Sequence, residues 1–453
     1  MTAGYWPRPW TCEDGGPRRG GSADGQPGLG LKPGERLELT AARDAFATDA
    51  LVRREPGELY ALRHPIPIRG VQSTPVEGWV ERLDPITLDT VASTPRLPGG
   101  AYWPGGIAAH ANGDLHMVFG RWAHRLSPAL EVLASHRLPV PRPHNSFVVL
   151  DGGELVTKDC DAPAGREPST VSALDPQTLL PVAPPLRLEQ PVVARLASDG
   201  EGVVAIGATV AYLLRLDRDA GRLSVDERWQ PRYGPAPERS YGWDPVITAE
   251  HVLWMDNGRN HTDRTMLGSG EAASPVRLWW ARRDDGEAVR SVEISGLPFG
   301  TESNPPGWDP EGRIVVAYDA GNAVLRAWRL EGDELTDLWR RDGFAHAGHP
   351  IVFSDTRELV VQDWRDWEPW RRPAVRPLTR VLGQLMAQSG LARGPASLRL
   401  GSDQLVVVDL DSGEDKARVD VPSPSQAFLF PAPGFERDVY YQSLTTIARA
   451  CVV

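Results

Sequence analysis

Cysteine and lysine are nearly absent from this chain, and so is any long apolar run. The cysteines are Cys12, Cys160 and Cys451, with no CxxC spacing, so neither a disulfide framework nor a thiolate zinc site is supported. No run of about 18 apolar residues occurs, and the opening "MTAGYWPRPWTCEDGGPRRGG" has no apolar core of signal-peptide length, so a soluble cytoplasmic protein is expected. Positive charge is in deficit: 49 basic residues face 60 acidic ones, for a formal charge of −11. That balance argues against nucleic acid or an anionic membrane as the main partner. The lysines are only Lys32, Lys158 and Lys416, so arginine carries almost all the positive charge.

Turns and short β-rich runs are abundant. There are 45 glycines and 42 prolines, spread along the whole chain, and amphipathic helix patterns are missing outside one segment. This is the all-β signature, and a 41% apolar fraction suffices for a core. The runs repeat. One half-motif is an apolar run, a tight polar turn and a second apolar run, as in "GGIAAHANGDLHMVFG" (105–120), "HNSFVVLDGGELVTKD" (144–159), "VVARLASDGEGVVAIG" (192–207) and "HPIVFSDTRELVVQD" (349–363). The other is a strand, a charged or Pro-containing turn and an outer strand, as in "ERLDPITLDTV" (81–91), "SALDPQTLLPV" (172–182) and "VVVDLDSGEDKARV" (406–419).

Four antiparallel strands per unit at spacings of roughly 40 to 60 residues make a β-propeller blade. Seven complete units fall between about residue 47 and residue 421, with a partial eighth at the C-terminus that lacks its outer strand. The stretch "ERLELTAARDAF" (35–46) can supply that strand and close the ring. An all-β, eight-bladed propeller over 35–453 is therefore expected, seven blades being the alternative, preceded by a disordered or wrapping N-terminal arm at 1–34. The outer hairpins, with their "LDPxT" pattern, resemble β-propellers with quinoprotein-like or YVTN-like repeats, a resemblance that implies architecture. Quinoprotein dehydrogenases add a vicinal cysteine pair and Trp-docking repeats, which this chain does not show. Propellers such as gluconolactonase-like hydrolases and streptogramin lyases look like functional analogues.

In such a blade the loop entering the innermost strand A and the residues leaving strand B share one face, beside the channel; we call this face the top. Chemistry concentrates there. Asp159, Asp256, Asp319 and Asp363 close four B strands at nearly one register, and the entering loops carry Trp103, His144, Tyr241, Trp243, Asp244, Asn304, Trp308, His346 and His349. The bland alternative for the aspartates is bonding to backbone N–H groups that holds the blades in register. His144 and His349 are the expected acid/base groups, with Asp159 as their partner and Lys158 as a secondary catalytic candidate, unless Lys158 merely pairs with Asp159. His64, His144, His346 and His349, helped by Asp159 or Asp363, are the candidate ligands of a divalent metal. Trp103, Tyr241, Trp243, Asn304 and Trp308, with Asp256, Asp319 and Asp363, are the candidate ligand-binding set.

One helix is expected, within a 364–394 insertion of the seventh unit, where Val375, Leu378, Val381, Leu382, Leu385 and Met386 recur at helical spacing. It projects from the top face as a lid, a homodimer contact or a packed ornament. The leading reading is an enzyme acting on a small organic molecule at the top mouth of the channel, by His/Asp acid–base or metal-assisted hydrolysis, elimination or isomerisation. The alternative is a non-catalytic propeller that binds a ligand or a protein.

Overall fold

The computed structural model describes residues 3–23, 25–45, 48–65, 76–161, 166–234, 241–256, 274–298, 300, 304–366, 401–423, 430–443 and 445–453. They form eight antiparallel sheets arranged as the blades of a propeller. Blade 3 shows the plan: strands His144–Val149, Leu155–Asp159, Thr170–Leu174 and Leu186–Arg187 follow one another outward. Every residue of its two inner strands is buried, because both faces of those strands meet neighbouring blades. The outer strand of blade 2, Val132–Arg137, alternates between exposed and half-buried. Continuous apolar runs inside and polar alternation outside follow from that difference in cover.

Neighbouring blades share their cores. Leu253 of blade 5, Val316 and Trp328 of blade 6, and Val361 and Val406 of blade 7 belong to one buried cluster, each such side chain contributing about 1.5–3 kcal/mol by leaving water. The "LDPxT" pattern is explained locally: Asp84 accepts the N–H groups of Ile86 and Thr87 at 2.9 and 2.8 Å. Asp175 does the same for Gln177 and Thr178. These carboxylates nucleate the turn between the two outer strands.

The ring closes as expected. Leu37–Asp44 pairs antiparallel with Thr446–Val452, from Leu37 opposite Val452 to Asp44 opposite Thr446, and completes blade 8 around Asp438–Gln442 and Ala432–Pro433. N- and C-terminal strands thus cover each other's edges. The helix expected within 364–394 rests on residues 375–386, which lie outside the described residues, as does any homodimer contact of that segment; just before it, Arg365–Asp366 forms a short strand paired with Ser402 and Gly401. Among the described residues the one helical element is a three-residue 3-10 turn, Glu13–Gly15, and no helix is long and apolar enough to cross a membrane.

The arm takes a course the sequence did not suggest, threading the inner ends of the blades. Backbone carbonyls of Trp10, Thr11, Pro17, Arg18, Gly20 and Gly21 accept the N–H groups of Arg53, Ala109, Ser198, Ile247, Trp308 and Val352, all at 2.8–3.0 Å. Val149 N–H donates to Tyr5 Oη at 2.9 Å, and Arg437 donates to Leu29 O and Gly30 O at 2.6 and 2.7 Å. The arm therefore bonds to all eight blades. It also buries Tyr5, Trp10 and Leu29. Close approach needs glycine at two places. A Cβ on Gly106 would lie 2.8 Å from Glu13 Oε1, and Gly21 sits at φ +65° against the Pro350 carbonyl.

Candidate functional site at the channel mouth

The antiparallel register sets His144 opposite Asp159, so both ends of this inner hairpin reach the top face while its Asp151-Gly152-Gly153 turn lies at the bottom. Three sets of side chains gather along the channel, the third of which reaches, through Asp14 and Arg19, the cavity between the arm and the bottom turns. The first is Lys158, fully buried, whose Nζ donates to Asn145 Oδ1 at 2.7 Å and to Val193 O at 3.3 Å. Burial pulls its pKa down to about 8. The second is a buried aromatic cluster, Trp103, Tyr241 and Trp243 packed with Cys160 and Val193, in which Tyr241 and Trp243 stack with centroids 5.5 Å apart.

The third set is ionic and joins the entering loops to the arm. Arg195 N–H donates to Asp244 Oδ1 at 2.6 Å, and its Nη1 lies 3.8 Å from Oδ2 of the same carboxylate. Its guanidinium lies over the Phe430 ring, 4.2 Å from the centroid, and the His349 ring lies 4.0 Å from the same centroid. His349 Nδ1 donates to Asp14 Oδ1 of the arm, and Asp14 Oδ2 accepts from Arg19 Nη1 at 3.2 Å. Glu13 lies 3.7 Å from the same guanidinium and accepts Ile107 N–H at 3.0 Å. Burial pushes Glu13 up, toward its neutral form. Burial also pushes Asp14 upward, but His349 and Arg19 outweigh it and hold that carboxyl below the ordinary range.

The strand-end aspartates do not join this group. Asp159 accepts Thr170 N–H at 2.6 Å and lies 2.5 Å from Arg142 Nε. Asp256 accepts Arg277 N–H at 3.3 Å and Trp279 Nε1–H at 3.0 Å. Asp319 takes Ser295 Oγ–H at 2.7 Å and Asn322 Nδ2–H at 2.8 Å, and Asp363 takes Ala345 N–H, Arg365 and Arg418. Each carboxylate ties its strand end to neighbouring loops and outer strands. Lys158 does not pair with Asp159 either: the Arg142 guanidinium does.

The histidines are dispersed. His144 Nδ1 faces the carbonyls of Gly120 and Arg142, both at 3.1 Å, which places its proton on Nδ1, and burial drops its pKa to about 3. His346 is held by the backbone of Gln362 and packs edge-on against Tyr318, and His64 stacks on Phe119. Burial keeps both neutral, at about 3 and about 4. Among the described residues no three His, Cys, Asp or Glu side chains group as a metal would require, so the expected set of His64, His144, His346 and His349 does not form one.

Asn304 is buried, with its Nδ2 donating to Ala347 O at 2.5 Å. Trp308 departs from expectation. It belongs to the inner strand Gly307–Asp309 and borders a cavity of about 700 Å³ between the arm and the bottom turns, with Arg18, Asp151 and Glu250. The reading from sequence missed Glu13, Asp14, Arg19, Asn145, Arg195 and Phe430. Two acids and an arginine flanking "GGPR" in a segment with Trp6 and Trp10 are the one visible signal for the arm residues.

No protein-family model and no curated protein sequence matches this chain. Solved structures match in shape. Quinohemoprotein alcohol dehydrogenase from Comamonas testosteroni is 10% identical over 99% of this chain and 81% of its own, with a TM-score of 0.61. A europium-containing methanol dehydrogenase is 10% identical over 96% and 89%, with a TM-score of 0.56. The WD40 domain of Pan2 from Neurospora crassa is 9% identical over 74% and 94%, at 0.46. The chain is thus an eight-bladed β-propeller with a quinoprotein-like architecture, and likeness at this identity speaks to fold alone.

Proposed function

We propose that the protein is an enzyme that works on a small organic molecule at the top mouth of the channel by acid–base chemistry, in a hydrolysis, elimination or isomerisation. One observation carries this reading: the buried His349 has its Nδ1 held by the Asp14 carboxylate while its Nε2 has no hydrogen-bond partner. A carboxylate on one ring nitrogen fixes the tautomer and orientation and makes the other nitrogen a better base. Lys158, with its pKa pulled toward neutrality by burial, is a second proton carrier in the same region. The europium and quinone-haem chemistry named for the two neighbours are not carried over. The three cysteines stand apart in sequence, and among the described residues no metal-ligating group of three is present.

The reading is tested with a panel of lactones, aryl esters and β-hydroxy acids followed by proton NMR and pH-stat near pH 7. His349→Gln keeps a donor toward Asp14 and loses the base. It is expected to slow whichever compound is turned over by about 100-fold or more, with the melting temperature nearly unchanged. An inert panel, or an equally active variant, overturns the catalytic reading. The binding-only alternative would then gain from the exposed apolar side chains on the outer parts of blades 1 to 3, such as Val91, Leu133 and Leu180.

A further inference from the structure

We infer that the molecule taken at this mouth is a small organic acid, and that the side-on edge of Arg195, its Nε–H and Nη2–H, is what receives the carboxylate. The inference rests on the reading above for the location of the ligand, and on Arg195 itself for its chemistry. Arg195 is 5% exposed, and both Nε and Nη2 are shielded from solvent without any hydrogen-bond acceptor. Leaving two buried donors of a charged group unanswered is costly. These are the two N–H groups that point in parallel from one edge of a guanidinium, the arrangement a planar carboxylate matches with two bonds. Asp244 does not fill that role, because it engages the backbone N–H and, distantly, Nη1. Stacking on Phe430 fixes the plane of the fork.

The surroundings agree. The neighbouring buried cations are more fully engaged: Arg19 by Glu13, Asp14 and the Leu196 carbonyl, with its Nη2 alone unanswered, and Lys158 by Asn145 and Val193 O.

Isothermal titration of the 453-residue chain at low salt near pH 7 tests this with sodium benzoate, sodium acetate, benzamide and inorganic phosphate. Benzoate is expected to bind saturably, acetate and phosphate at least about tenfold more weakly, and benzamide not measurably. Arg195→Lys keeps a cation beside Asp244 but lacks the fork, so it should fold normally and lose about tenfold or more in benzoate affinity; Arg195→Met should abolish binding. The proposal is overturned if no carboxylate binds at about 10 mM, meaning that ordered water alone answers the fork. It is overturned equally if benzamide matches benzoate, or if Arg195→Lys binds benzoate as the native protein does. Benzoate binding together with an inert panel would sink the acid–base reading and keep the anchor. Turnover of a neutral lactone with no carboxylate binding would do the reverse.

Discussion

The rim of the top face and the axis of the channel carry the same kinds of residue and use them differently. On the rim, Asp159, Asp256, Asp319 and Asp363 are buried and answered by backbone N–H groups, arginines or a tryptophan of their own surroundings. His144 faces two carbonyls. On the axis, Arg195 Nε and Nη2, His349 Nε2 and Trp243 Nε1 are buried with nothing to bond, as is His346 Nε2 on the rim. A carboxylate at a strand end is thus a latch when its oxygens are occupied, whatever its register. Polar capacity left over in a buried place is the stronger pointer to a ligand.

The largest effect should come from the arm, which builds the axis and none of the rim latches. Deleting residues 1–33 removes the burial of Tyr5, Trp10 and Leu29, about 1.5–3 kcal/mol each, and takes Asp14 away from His349 and Arg19. A loss on the order of 5 kcal/mol is expected, read as a lower urea midpoint. Together with it, any benzoate affinity and any turnover should vanish. A truncated chain as stable as the intact one would mean that the blades form the axis unaided, and the contrast between the two regions would collapse.

Paired substitutions sharpen the contrast at single residues. Asp363→Asn weakens the bonds to Arg365 and Arg418 and should cost about 1–3 kcal/mol of stability, leaving any activity and benzoate affinity within about twofold. His349→Gln should show the opposite pattern, with activity lost and stability kept. If Asp363→Asn abolishes activity at constant stability, the rim belongs to the site after all.

Eight blades and their closure could be read from the sequence because strand burial and turn chemistry leave periodic traces. Asp84 and Asp175 recur at the same point of the outer hairpin, and 35–46 has the alternation of an outer strand. The arm left almost no such trace. It docks through the carbonyls of Pro17, Arg18 and Gly20, groups that every residue type carries, so only Tyr5, Trp6 and Trp10 hinted at burial. Trp308 was misplaced because "PPGWDP" looks like loop, whereas its tryptophan already pairs with Val315. Arg195, between Pro191 and Ser198, gave no sign of its unanswered edge, since that is a property of its neighbours and not of its type.

The rim histidines offer a pH signature distinct from that of the axis. Burial lowers His64 to about 4, and His144 and His346 to about 3, from an ordinary 6.5. Between those values the unfolded chain binds more protons than the folded one, so stability is complete above pH 6.5 and falls as pH drops toward 4. Melting temperatures taken from pH 7 to 4.5 should decline by several degrees, less so in His144→Gln. A flat profile over that range would show that these rings are not desolvated.

Lys158 should give the smallest and most specific effect, on the alkaline side. Its folded pKa of about 8 lies below the ordinary 10.5, so from pH 8 to 10.5 the unfolded state holds a proton the folded state has released, and stability from this group rises with pH. Below pH 8 the buried ammonium imposes its full cost, offset in part by its bond to Asn145. Lys158→Met removes both, for a net gain of about 1 kcal/mol near pH 7 that shrinks to nothing or reverses by pH 10.5. Buried tyrosines such as Tyr233 and Tyr441, raised by burial, pull the absolute curve down above pH 10, so the informative quantity is the difference between variant and native protein. A constant difference across this range would place Lys158 with the rim residues, fully answered by its neighbours and without a proton to offer a ligand.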